Sequence, residues 1–167
     1  MDDEVTDLAA RALQAARDRG VKVVTAESCT GGLVIAALTE TPGASDVVDR
    51  GFVTYSNAAK SEMIGVPTAL IDRHGAVSAE VAGAMASGAL AASGADIAVA
   101  ITGIAGPGGG SAQKPVGLVH FAGAGKTTPP MQVERRYGDP GRAEIRRRAV
   151  IEALNLLIAL AKPPQGA

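Results

Sequence analysis

Ser28, Tyr55 and Lys60 are the residues of this sequence whose types and spacing best suit joint chemistry. A serine hydroxyl is a poor nucleophile until a base takes its proton, and a lysine withdrawn from water can be that base. Tyr55 ends a run of strand character and Lys60 lies on the helix just after it. If that strand neighbours the one leading to Ser28, all three groups meet at one sheet edge. The plainer alternative is a solvated helix lysine and a strand-end aromatic, since most lysines are surface residues.

Ser28 belongs to the stretch Thr25-Ala26-Glu27-Ser28-Cys29-Thr30-Gly31-Gly32, a polar turn between an apolar run and an apolar helix face. Such a turn gathers hydroxyls, a thiol and backbone N–H groups at the positive end of a helix, where an anion or a developing oxyanion is stabilised. The alternative is a plain N-cap, with Ser28 or Thr30 satisfying helix N–H groups. Cys29 is a rival nucleophile, because thiols at helix N-termini have lowered pKa values. It would want a histidine base, and the two histidines, His74 in a loop and His120 in a strand, stand beside no evident orienting acid. A small buried residue is the favoured reading of Cys29.

A second candidate is Thr102-Gly103-Ile104-Ala105-Gly106-Pro107-Gly108-Gly109-Gly110. Gly103 and Gly108 have the Walker spacing, but glycines stand where Lys and Ser/Thr belong, and a strand follows instead of a helix. Such a loop can still wrap a ligand with its N–H groups, or be a mobile surface loop. Lys114, just beyond it, could meet a phosphate or solvent. Arg142 and Arg146 open the last helix four residues apart, a geometry suited to a phosphate or carboxylate; Arg147 and Arg148 beside them suggest a charged helix face. Two separated histidines, one cysteine and no tight acidic cluster make a poor metal site.

The elements that would position these groups alternate. A helical stripe over 2–19 ends at Gly20, and a strand over 21–26 leads through the Ser28 turn into a helix to about 40. A strand over 47–55 precedes short helices at 58–64 and 68–73. Ser78 caps a helix to about 93 that is made almost wholly of small residues. An apolar run at 97–101 reads as a central strand, followed by a strand pair at 116–122 and 131–137. A final helix starts after Asp139-Pro140-Gly141. The pattern predicts a single three-layer α/β/α domain over 1–162 with a mixed, mostly parallel sheet, and a loose tail at 163–167.

With 16 basic and 17 acidic residues the formal charge is −1, so there is no basic field for nucleic acid. Four aromatics in 167 residues leave little for base stacking. One cysteine allows no internal disulfide. The N-terminus has no basic-then-apolar leader, and no run reaches the roughly 20 apolar residues of a membrane span. A cytoplasmic protein without membrane contact is expected.

The motifs Ala26-Glu27-Ser28-Cys29-Thr30-Gly31-Gly32, Tyr55-Ser56-Asn57 with Lys60, Thr102 to Gly109, and Lys114-Pro115-Val116-Gly117, in this order, resemble the C-terminal domain family of CinA, the competence-damage-inducible protein. The resemblance covers nearly the whole chain. It implies a nicotinamide-nucleotide amidohydrolase, which converts nicotinamide mononucleotide to nicotinic acid mononucleotide and ammonia. It further implies Ser28 as nucleophile, Lys60 as base and Tyr55 assisting, with N–H groups around Cys29 to Gly31 holding the oxyanion. Glu27, Cys29, Thr30, Gly31, Thr102, Gly103, Ala105, Gly106, Gly108, Lys114, Arg142 and Arg146 are the substrate-binding residues expected, the glycine loop and arginines holding the ribose phosphate. No cofactor is implied. The large N-terminal domain of many full-length CinA proteins has no counterpart in the sequence. A non-catalytic nucleotide-binding domain tied to competence or DNA repair is the alternative function, and a Cys29 thiol hydrolase is a third. The expected partner is a small nucleotide substrate, in a homo-oligomer.

Overall fold

The computed structural model describes residues 1–163; the expected tail lies almost wholly outside them. Six α-helices and five strands follow one another among the described residues: α1 (Asp3–Arg19), β1 (Val23–Glu27), α2 (Leu33–Glu40), β2 (Val48–Val53), α3 (Asn57–Ile64), α4 (Thr68–His74), α5 (Ala79–Ala91), β3 (Ile97–Gly103), β4 (Leu118–Gly125), β5 (Met131–Arg136) and α6 (Arg142–Leu160). The sheet order is β2-β1-β3-β4-β5. β1 pairs in parallel with β2 and with β3, while β4 runs antiparallel to β3 and to β5. Four of the five strands therefore point the same way, giving the mixed, mostly parallel sheet that the alternating pattern predicts.

The pleat sorts the strand residues between two cores. On one face Val23, Ile97, Val99, Ile101, Val119 and Phe121 meet α1, α2 and α6. On the other, Val24, Ala26, Ala98, Ala100, Ala122 and Ala124 meet α5. The first face buries large side chains, each contributing roughly 1.5–3 kcal/mol. The second is nearly all alanine, so α5 must lie close to gain contact at all, and its own small residues permit this. Closeness extends to the neighbour: a Cβ on Gly88 would stand 1.9 Å from the Ile64 carbonyl oxygen at the end of α3.

The strand boundaries shift by up to three residues from the sequence expectation, β1 and β4 among them. β1 starts two residues later than expected, at Val23, after the chain has left α1 through Gly20. β4 covers Leu118–Gly125 instead of 116–122. Gly117 has φ 91° and donates to Ile104 O, so the chain is still turning there. Gly123, one residue past the expected end of the strand, is inside β4: a Cβ there would press on Leu160, 2.8 Å away, so the bare backbone admits the end of α6.

Candidate active site

Ser28 follows β1 directly. Its N–H donates to Ile101 O (3.0 Å), which prolongs the β1–β3 ladder and fixes Ser28 at the carboxyl edge of the sheet, where ligands bind in such folds. The chain then reverses, with the Gly31 N–H returned to Ser28 O (3.0 Å). Gly31 and Gly32 carry φ of 59° and 96°, a left-handed pair that residues with a Cβ rarely adopt.

Neither Ser28 nor Thr30 caps α2. The Thr30 hydroxyl is buried without a partner among the described residues, and the cap position is Gly32. The cap is the carboxylate of Glu27: Oε2 accepts from the Gly32 and Val34 N–H groups (3.0 and 3.1 Å), and Oε1 from the Ile35 N–H (2.8 Å) and the Thr25 hydroxyl (3.3 Å). Glu27 is fully buried and faces away from the cleft described below. Expected at the substrate, it instead occupies the positive helix end, which leaves that end closed to a bound anion. Ser28 Oγ is thereby left free of a capping role.

α3 brings the base. Ser56 caps it through its hydroxyl, which accepts from the Ala59 N–H (3.0 Å), and Lys60 sits one turn in. The Lys60 side chain is only 1% exposed. Its Nζ lies 3.1 Å from Ser28 Oγ, 2.9 Å from Thr54 O and 3.5 Å from Tyr55 O. No carboxylate among the described residues pairs with it. Burial pushes its pKa below the ordinary lysine value, because the charged form loses its water. A solvated helix lysine is therefore ruled out.

Tyr55, expected to assist by proton transfer or by positioning, stands at the edge of the site. Its ring is 61% exposed and its hydroxyl accepts from Arg142 Nη2 (3.1 Å), while its tie to Lys60 runs through its carbonyl. Arg142 also donates to Gly106 O (2.8 Å), so it spans the mouth from Tyr55 to the glycine loop. Arg146, one turn further, reaches no substrate space: Nε donates to Cys29 O and Nη2 to Thr30 O, both at 3.1 Å. Lys114 Nζ is bound to His74 O (2.6 Å) and Thr102 Oγ1 donates to Ala76 O (2.8 Å), so both pin the loop after α4.

These groups enclose a cleft of about 210 Å³ lined by Ser28, Cys29, Tyr55, Lys60, Thr102 and Arg142, with Gly103 and Ala105 from the glycine loop. Thr30, Gly31, Gly106, Gly108, Lys114 and Arg146 are not in its wall. Asn57, Ala76 and Val77 are, and were not anticipated. Asn57 stands inside the Tyr55-Ser56-Asn57 motif, which was a signal; Ala76 and Val77 carry none, being placed by the bonds from Thr102 and Lys114. A wider hollow of about 500 Å³ lies between α2 and β2, but it is lined by Ile35, Thr39, Asp49, Arg50 and loop residues and holds no buried nucleophile or base. Cys29 is an inert rival to Ser28: burial pushes its thiol up to about 12, so the thiolate is scarce near neutrality. Among the described residues no three His, Cys, Asp or Glu side chains gather at metal-binding distance, and no helix is long and apolar enough to cross a membrane.

A three-layer α/β/α domain with a serine and a buried lysine meeting at the strand edge is the class that fold and site define. Residues 5–161 match the model of the CinA C-terminal domain, and the chain belongs to that family. The CinA-like protein of Anaeromyxobacter dehalogenans (strain 2CP-1) is 52% identical over 155 residues, covering 93% of this chain and 37% of that protein. That of Mycobacterium marinum is 54% identical over 158 residues, covering 92% of this chain and 35% of its own. The chain thus spans about a third of the length of the curated relatives it matches. Among solved structures, the competence/damage inducible protein CihA from Agrobacterium tumefaciens superposes with a TM-score of 0.95 at 54% identity, covering 97% of this chain and 98% of that one. A CinA superfamily protein from Enterobacter cloacae gives 0.88 at 30% identity, covering 95% and 92%.

Proposed function

We propose that the domain hydrolyses the carboxamide of nicotinamide mononucleotide through an acyl-enzyme on Ser28. The observation that carries the reading is Lys60 Nζ, buried, free of any carboxylate and 3.1 Å from Ser28 Oγ. In its neutral form the amine accepts the Ser28 proton as Oγ attacks the amide carbon. The oxyanion is held by a backbone N–H of the turn. Lys60, now an ammonium, returns its proton to the leaving nitrogen; the C–N bond breaks and ammonia departs. Water then gives a proton to Lys60 and its oxygen attacks the ester. Ser28 Oγ leaves with that proton, and nicotinic acid mononucleotide is released.

The cleft chemistry agrees with such a substrate. Ala76, Val77 and Ala105 offer an apolar wall to a flat ring. Arg142 bonds only neutral oxygens among the described residues, and so keeps its positive charge for a phosphate at the mouth. Tyr55, sharing that guanidinium, orients the substrate at the rim and does not transfer the proton. The test is ammonia and nicotinic acid mononucleotide formation by the purified protein. Turnover is expected, with a loss of more than about 10⁴-fold in Ser28→Ala. A folded wild type without turnover would overturn the reading, and turnover surviving in Ser28→Ala would move the nucleophile elsewhere.

A further inference from the structure

We propose that Arg146 is a positioning residue, which holds the peptide planes of the Ser28 turn so that the Cys29 N–H receives the oxyanion. The inference rests on the acyl-transfer reading above and assigns Arg146 a role other than phosphate binding.

The argument is an accounting of the turn's donors and acceptors. In a trans peptide the C=O and the following N–H point opposite ways, so a partner on each carbonyl sets the direction of the next N–H. Ser28 O is held by the Gly31 N–H, which fixes the peptide bearing the Cys29 N–H. Cys29 O is held by Arg146 Nε, which fixes the peptide on the other side of Cys29, so that the residue is clamped at both ends. Thr30 O takes both Arg146 Nη2 and the Leu33 N–H. The remaining donors are spent: Ser28 on Ile101 O, Gly31 on Ser28 O, and Gly32 on Glu27. Cys29 and Thr30 keep the two N–H groups of the turn that donate to nothing among the described residues, and of these two residues Cys29 lines the cleft while Thr30 is buried outside its wall. Cys29 directly follows the nucleophile in sequence, the position from which one oxyanion donor comes after a strand-to-helix serine.

The planar fork gives each of the two successive carbonyls its own fixed donor, Nε for Cys29 O and Nη2 for Thr30 O, whereas a lysine ammonium is a single point. Gly31 is needed for its φ of 59°, and a Cβ there would only touch Arg146 Nη2, at 3.4 Å. The two arginines of α6, four residues apart, therefore divide the work, Arg142 at the mouth and Arg146 behind the turn.

The test compares wild type with Arg146→Gln and Arg146→Lys in two assays. One is turnover of nicotinamide mononucleotide and of nicotinamide riboside, which lacks the phosphate. The other is the rate at which a fluorophosphonate labels Ser28. In that reaction the Oγ–P bond forms, the P–F bond breaks, fluoride leaves and the serine proton passes to Lys60, with the phosphoryl oxygen in the oxyanion position. Arg146→Gln should lower kcat and the labelling rate together, on the order of 10- to 100-fold. KM should stay within about threefold and the two substrates should suffer alike. Arg146→Lys keeps charge and stem and should fall between; it carries the test if Arg146→Gln does not fold. A rise in KM confined to the mononucleotide, or an unchanged labelling rate, would overturn the proposal. Wild type that is labelled on Ser28 but leaves the mononucleotide intact refutes the nicotinamide reading alone, and the labelling ratio still decides Arg146. Wild type that does neither refutes both.

Discussion

At the scale of single residues, Lys60 carries a cost that function explains. Its lowered pKa means that, between the folded value and 10.5, the unfolded chain binds more protons than the folded one, so stability rises with pH across that window. Lys60→Met should abolish turnover, remove that slope and leave the melting temperature at pH 7 no lower than wild type, since a buried charge is exchanged for an apolar group of similar length. For the wild type, kcat should rise with pH as the amine deprotonates, with a midpoint below 10.5. Glu27 is the opposite case. Glu27→Ala strips three N–H groups at the start of α2, that of the cap residue Gly32 and two inside the helix, of a charged acceptor, and chemical denaturation should show a loss of about 3 kcal/mol or more. The Ser28 and Lys60 positions were legible because their chemistry constrains residue type. The role of Glu27 was not, because a carboxylate beside a nucleophile reads equally well as ligand or cap until the N–H groups it faces are known. Arg146 and Lys114 were misjudged for a related reason: sequence shows the charge but not the carbonyl oxygens waiting for it.

At the scale of elements, the site depends on how near α5 lets α3 come. Ile64 closes α3 against Gly88, and Lys60 lies one turn before Ile64. Gly88→Ala would place a methyl within bonding distance of a carbonyl oxygen, so α3 has to retreat. We expect a destabilisation of about 1–3 kcal/mol, read by denaturant midpoint, and a fall in kcat larger than the stability loss accounts for under conditions where the protein stays folded. The element order and the small-residue character of α5 were readable from periodicity. What the small residues faced was not, because an alanine-rich helix packs equally well on a sheet, a helix or a second subunit. The β4 boundary was missed for want of a local signal: Gly123 and Gly125 look like turn residues until Leu160 and Ile97 are seen against them.

At the scale of the whole molecule, the alanine face of the sheet carries a group that answers acid. His120 stands on the alanine face, opposite Glu134 on β5, and burial pushes its pKa below the ordinary 6.5 despite that carboxylate. The unfolded state therefore binds the proton more readily, and stability is complete above about pH 6.5 and lost as the pH falls below it. His120→Asn should flatten the melting temperature between pH 7 and 5 in a calorimetric series. A single inert thiol completes the picture. Cys29 is the only cysteine in the chain, is buried, and sits on the turn whose backbone must be intact for Ser28 to work. Its rate of alkylation is consequently a clock for the opening of the active-site turn. Time courses with a thiol reagent, run with and without substrate, would report how often this protein breathes at the one place where breathing and turnover compete.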